Sequence, residues 1–149
     1  MKRRYDSSSG QTLVEFAFIF FLLMIVIMGI IEFSIIIYDK ALITNASREG
    51  ARAGVMYRVN LGTYEYAELN EAGVKQVVGD YLQDRLITFG APFNPISDVQ
   101  VSWSSTPPVS GAQIDVRVNF NYAFLTLNRL MGSGNSTMQL NSRTIMRME

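Results

Sequence analysis

The longest run of apolar residues extends from Phe16 to Ile31, and a carboxylate stands at each end of it. Glu15 precedes the run and Glu32 follows it, after which the segment Phe33 to Tyr38 carries the apolar character further. A helix rises 1.5 Å per residue, so crossing a bilayer core of about 30 Å takes roughly 20 residues. The run with its extension therefore predicts a single membrane-spanning helix.

The two carboxylates constrain how such a helix sits in the bilayer. Glu15 and Glu32 lie 17 positions apart, which corresponds to roughly 25 Å along a helix axis. Either both lie near opposite interfaces and the segment after Glu32 is covered by protein, or one carboxylate lies inside the apolar layer and must be neutralised or paired. Both arrangements require a protein partner for this helix.

A buried helix of a soluble protein and a cleaved secretory signal both fit the apolar run less well. A soluble buried helix would have to be enclosed on every side by a domain of only about 100 residues. A cleaved signal would use the basic start Lys2 to Arg4 and the small-residue pattern Ala51-Arg52-Ala53. That pattern lies well beyond the apolar run, whereas signal cleavage follows such a run closely. A single-pass anchor is the favoured interpretation.

Beyond the span, the helix is predicted to continue through "DKALITNASREGARAGV", which contains no proline and keeps a spacing of three and four residues. Small residues dominate one face of this segment. Ala46, Gly50 and Gly54 form a series that lets helix backbones approach closely. The partner of this helix-packing face is either the domain of the same chain or another subunit.

The rest of the chain predicts one more helix and a small sheet. Apolar residues at helical spacing run from Leu69 to Leu86, and the helix is expected to end near Gly90. Alternating patterns then predict strands in "DVQVSW", "QIDVRVNFNYAF" and "STMQLNSRTIMRM". The predicted fold class is α+β: a long N-terminal transmembrane helix continuing into a small domain with a second helix and a three-stranded antiparallel sheet.

Composition narrows the function classes. The chain has no His and no Cys, which excludes disulfides, the usual zinc ligands and the commonest nucleophile and base pairs. Formal net charge is zero, so no electrostatic footprint for nucleic acid exists. Glu65, Glu68 and Glu71 are interpreted as the solvated face of a helix rather than a cation site. We expect that the protein is not an enzyme and that it has no catalytic residue, no metal and no cofactor.

The segment "GQTLVEFAFIFFLLMIVIMGIIEFSIIIYDKALITNASREGARAGV", from Gly10 to Val55, resembles the TadE-like proteins. These are pseudopilins or minor pilins of the tight-adherence (Tad/Flp) pilus system. The resemblance rests on a basic leader ending in Gly10, on Glu15 followed by Phe16, on "GIIEF" around Glu32 and on "NASREGARAGV". Many relatives carry a proline early in the apolar helix, and "FIFFLLM" has none.

The resemblance implies a processing step and a set of partners. A prepilin peptidase would cleave after Gly10 and make Gln11 the mature amino terminus. The mature chain would take part in pilus assembly with other Tad subunits and assembly proteins, held in membrane lipid and forming homo- or hetero-oligomers through its N-terminal helix. The alternative is an uncleaved single-pass protein whose outer domain binds an envelope partner or ligand.

A physical role for Glu15 follows from such cleavage. The new α-amino cation of Gln11 would lie at the depth of Glu15 and could pair with it, within one chain or between neighbours. The local alternative is a capping box, in which Thr12 and Glu15 bond the first backbone N–H groups of a helix. One carboxylate can serve both roles.

The resulting domain prediction has three parts. Residues 1–10 form a prepilin-type leader, residues 11–38 the transmembrane helix and residues 39–149 an extracytoplasmic pilin-like domain. Basic residues both precede the span and follow it, so their count does not settle the orientation; the short leader with clustered charge favours a cytoplasmic amino terminus. The expected location is the bacterial inner membrane, with association to a pilus after assembly.

Overall fold

One uninterrupted helix dominates the N-terminal third of the chain. The computed structural model describes residues 7–56, 58–60, 65–67, 70–89, 92–105, 111–125 and 136–148. Helix α1 covers Ser7–Val55 and is 49 residues long. The prediction that the helix continues past the apolar run is confirmed, and α1 belongs both to the candidate span and to the domain.

The domain after α1 contains a second helix, a short third helix and two antiparallel sheets. A two-stranded hairpin comes first and a three-stranded sheet of order β3-β4-β5 comes last. The elements are β1 (Arg58–Asn60), β2 (Glu65–Ala67), α2 (Glu71–Leu82), α3 (Pro95–Asp98), β3 (Val99–Trp103), β4 (Gln113–Ala123) and β5 (Thr137–Arg147). The predicted α+β class and its three-stranded antiparallel sheet are confirmed.

The core lies between the inner face of the three-stranded sheet and the two long helices. Strand β4 alternates between buried and more exposed residues, as its sequence predicts, and places Val116 and Val118 in the core. Ile43 of α1 and Val78 of α2 are fully buried in the same cluster. The C-terminal part of α1 is therefore a core element of the domain.

Polar contacts also fasten α1 to the edge strand β5. The Ser47 hydroxyl lies 3.0 Å from the Ser142 hydroxyl and 2.7 Å from that of Thr144. About two helical turns earlier, the Lys40 ammonium donates to the backbone carbonyl of Asn141. The position of the sheet on α1 is thus fixed by directional hydrogen bonds as well as by apolar packing.

Helix α2 is shorter than its sequence predicts. Asn70 caps its start by accepting the Gly73 N–H, and Leu82 is its last residue. The expected end near Gly90 was wrong, because the backbone leaves the helix at Gln83, where ψ is 133°. Asp84 follows with φ 61° in a turn that the Arg85 N–H closes onto the Leu82 carbonyl. Leu86 continues the apolar pattern outside the helix and still packs against the core.

The acidic residues before α2 are arranged differently from the prediction. Glu65 lies in β2, Glu71 is the first residue of α2, and Glu68 lies outside the described residues. Interpreting the three as one helix face was therefore wrong. The hairpin β1-β2 and helix α3 had not been predicted, since elements of three or four residues carry too little periodicity to detect.

Candidate functional site

The expected cleavage site lies within the first turns of α1. Gly10 and Gln11 are both exposed and helical. A Cβ atom built on Gly10 would meet no described atom within 4 Å. The fold itself therefore does not require glycine at this position.

Glu15 and Phe16 lie about one turn further along the helix. Glu15 Oε1 accepts a hydrogen bond of 3.1 Å from the Gln11 side-chain amide. The Phe16 ring stacks on that of Phe20, with centroids 6.0 Å apart, and both rings are exposed. Because α1 already begins at Ser7, Thr12 lies inside the helix and is not its N-cap in the uncleaved chain.

The apolar part of α1 is uncovered by the rest of the described chain. α1 is long and apolar enough to cross a membrane, and none of its most apolar 18-residue window is buried. Exposed side chains there include Phe18, Phe21 and Leu22. Such a surface is far larger than the apolar patches of soluble monomers.

Glu32, at the end of this exposed stretch, is enclosed by the domain. Only 5% of its surface is exposed. Glu32 Oε1 accepts the backbone N–H of Leu125, just after β4, at 2.6 Å. The second carboxylate of the sequence pattern is thus satisfied within the chain, and the domain begins to cover α1 at this level.

A second buried carboxylate, Asp39, follows two turns later on the same face. It is 0% exposed, and its Oδ1 accepts the Ile87 N–H at 3.1 Å. Burial raises the pKa of Asp39, while the Ile87 hydrogen bond acts in the opposite direction. We call Glu32 and Asp39 the carboxylate pair.

Tyr122 on β4 lies close to the carboxylate pair. Burial raises the pKa of the Tyr122 hydroxyl, and the nearby charges of Glu32 and then Asp39 raise it further. No role for Asp39 or Tyr122 was predicted from the sequence. The sequence signal that could have indicated a joint role was the seven-residue spacing of Glu32 and Asp39, which places both on one helix face.

The helix-packing face at Ala46, Gly50 and Gly54 lies against the chain's own domain. Ala46 is fully buried. A Cβ on Gly50 would approach Val78 Cγ2 to 2.4 Å, and one on Gly54 would approach Ile114 Cδ1 to 2.3 Å. The small residues therefore allow α2 and the sheet to sit directly on the helix backbone.

The small-residue pattern considered as a signal cleavage site is equally enclosed. Ala51 is 0% exposed and Ala53 is 6% exposed, and both lie within α1. Cleavage there would separate the domain from the core residues Leu42 and Ile43. This packing argues against a secretory signal.

Many membrane-anchored proteins have a helix with one exposed apolar half and one half packed on a domain. The geometry of the helix alone therefore does not identify a protein family. Residues 10–52 match the model of the TadE family, described as TadE-like protein. The N-terminal segment is therefore TadE-like. Neither a curated protein nor a solved structure matches the chain significantly.

The TadE-like segment begins at Gly10 and ends within the last turns of α1, so it contains the whole exposed stretch and the carboxylate pair. TadE-like proteins are structural components related to the Tad pilus and are not known as an enzyme family. The match covers residues 10–52 of 149, less than a third of the chain, so the similarity is that of the N-terminal segment. Together with the apolar helix, it suggests a single-pass membrane protein.

Proposed function

We propose that this chain is a prepilin-like minor subunit that takes part in Tad/Flp pilus assembly and has no catalytic activity of its own. A prepilin peptidase removes residues 1–10, and Gln11 becomes the mature amino terminus. The observation that carries the proposal is the match of the TadE-like segment, which starts at Gly10 and includes Glu15 and Phe16.

The buried Glu32 supports a specific position for the span. The domain covers α1 from Glu32 onwards, since Ile35 and Ile36 already pack against the core. A span of about 20 residues that ends at Glu32 begins near Thr12. We therefore place the domain-side end of the membrane helix at Glu32 rather than at Tyr38.

This position leaves Glu15 about one turn inside the apolar layer, at the end away from the domain. A carboxylate there requires a partner. Cleavage after Gly10 supplies one, because it creates the α-amino cation of Gln11 on the same side of the helix, as the Gln11–Glu15 hydrogen bond indicates. Glu15 is the residue that we assign to pairing during assembly, within one chain or with a neighbouring subunit.

Orientation follows from the leader. Lys2, Arg3 and Arg4 keep the amino terminus in the cytoplasm, and the domain is extracytoplasmic in the bacterial inner membrane. Since the small-residue face is filled by the chain's own domain, contacts with other subunits use the exposed faces of α1, where Phe33 and Ile37 lie beyond the span. Membrane lipid and the prepilin peptidase are the other partners that we propose for this chain.

Replacing Gly10 with leucine is expected to leave a longer, leader-bearing species in the membrane. A peptidase must hold the bond in extended backbone, and a residue without a side chain permits close approach. The measurement is the intact mass of the membrane-inserted protein, compared between Gly10→Leu and the unmodified chain.

The structure makes this substitution a clean test. A side chain at Gly10 meets nothing in the described part of the folded chain, so the domain should unfold at an unchanged temperature. Gly29→Leu is the matched control, because Gly29 is also an unobstructed position of α1, far from the junction. Normal processing of Gly10→Leu would contradict the assigned site and favour the alternative, an uncleaved anchor whose outer domain binds a partner.

A further inference from the structure

Three large apolar side chains are exposed at the end of the domain that lies nearest the candidate span. Phe89 is 41% exposed, Leu125 is 48% exposed and Met138 is 45% exposed. We call these three residues the domain base. They belong to three different parts of the chain, namely the loop after α2, the end of β4 and the start of β5.

Tyr122 lies next to two of the three residues of the domain base. Its ring meets the Phe89 ring edge-on at 6.4 Å, and Met138 is its partner across β4 and β5. Leu125 follows Tyr122 by three residues, just beyond the end of the same strand. Two of the three exposed residues therefore lie beside one buried aromatic ring, and the third is close to it in sequence.

The carboxylate pair fixes the height of the domain base along α1. Glu32 holds the Leu125 backbone N–H, so Leu125 lies at the level where the proposed span ends. Asp39, about 10 Å further along the helix, holds the N–H of Ile87, two residues before Phe89. Both segments that carry these base residues are thus fastened to the helix that enters the membrane.

We propose that the domain base is a lipid-contact surface that seats the domain on the outer membrane interface. This inference rests on the proposed membrane span. The surface continues directly from the lipid-facing part of α1 at Glu32, and the headgroup layer extends about 5–8 Å beyond the hydrocarbon core on each side. Leu125, bound through its N–H to Glu32, lies at the hydrocarbon edge in this arrangement, and Phe89 and Met138 lie beside Tyr122, toward the headgroup layer.

The seated domain gives the carboxylate pair a function beyond folding. A single-pass helix alone leaves its domain free to tilt about the membrane boundary. With two loops bound to α1 and their apolar side chains in the interface, the domain and the span present one defined orientation to neighbouring subunits. The partner of this surface is therefore lipid, and a second protein is not required to cover it.

Tryptophan fluorescence of the full chain in phospholipid vesicles tests the proposal. Trp103 is the sole tryptophan of the chain and pairs with Ile114, eight residues and so about 27 Å along β4 from Tyr122. The native chain therefore reports on the far end of the domain. Leu125→Trp and Phe89→Trp each add a reporter at an exposed base position, and Phe21→Trp adds one in the span.

Lipids brominated near the top of their acyl chains should quench the added emission of Leu125→Trp and Phe89→Trp and leave Trp103 unquenched. The added emission should also be blue-shifted. Deep-brominated lipids should quench Phe21→Trp, which establishes insertion independently. Quenching of Phe21→Trp without quenching at either base position would overturn the lipid-contact surface and leave the span intact.

The remaining outcomes are equally decisive. A blue shift at the base without quenching would mean that protein, for example a second copy of this chain, covers the surface, and the proposal would be wrong. Quenching of Trp103 to the same extent would show a domain lying on its side, which also contradicts it. Absence of quenching at Phe21→Trp would show that α1 does not span the membrane.

Discussion

Glu15→Gln is expected to abolish pilus production while leaving membrane insertion and leader cleavage unchanged. Glutamine keeps a side-chain oxygen that can accept the Gln11 hydrogen bond or a backbone N–H, so only the charge is lost. In the mature chain the α-amino cation of Gln11 would then lack its counter-ion in an apolar setting. Removing one partner of a buried ion pair typically costs about 3–5 kcal/mol.

Leader cleavage by mass spectrometry, surface pilus yield and co-purification with other pilus components measure this effect. Glu71→Gln is the control, because Glu71 is an exposed carboxylate of α2 whose Lys75 pair contributes little. Glu68, another acidic position, lies outside the described residues and is less suitable. Normal pilus yield and co-purification from Glu15→Gln would mean that its charge has no role in assembly.

Gly50→Leu is expected to destabilise the folded domain strongly. Even a single added carbon approaches Val78 Cγ2 to 2.4 Å and lies 3.5 Å from Val74 Cγ1. A leucine adds three further carbons to the same filled space, and overpacking of this kind costs about 1–3 kcal/mol, occasionally more. Thermal unfolding of the detergent-solubilised chain and protease resistance of the domain measure the loss.

A compensating substitution separates packing from other effects. In Gly50→Ala, removal of the opposing side chain by Val78→Ala should recover part of the lost stability, since the two changes meet at one contact. Gly29→Ala adds the same atom where nothing described is within 4 Å and should be neutral for the domain. Unchanged unfolding of Gly50→Leu would show that α1 does not pack on α2 in this way.

Most of the fold could be predicted because its long elements carry a clear period. The apolar run and the spacing of Leu42, Ile43 and Ala46 predicted one continuous helix, and the alternation in β4 predicted a half-buried strand. The end of α2 could not be predicted, because it depends on a turn at Gln83 and Asp84 rather than on a proline or glycine. The short elements β1, β2 and α3 could not be predicted because they are too short to show a period.

The candidate site was predictable only in part. Sequence reasoning recognised that Glu32 needed either an interface or a partner, but the Leu125 N–H that supplies the partner lies 93 residues away. Asp39 and Tyr122 stayed unassigned for the same reason, because their proximity is created by the tertiary fold. A helix face of small residues likewise does not reveal which partner fills it, and Val78 and Ile114 became visible only in the structure.

The assembly role rests on processing of the chain as a prepilin after Gly10. Its most direct test is the amino-terminal sequence of the mature protein, isolated from membranes of cells that produce the pilus, together with its intact mass. We predict a chain that begins with Gln11. A mature chain that begins with Met1 would contradict this processing and leave an uncleaved single-pass protein.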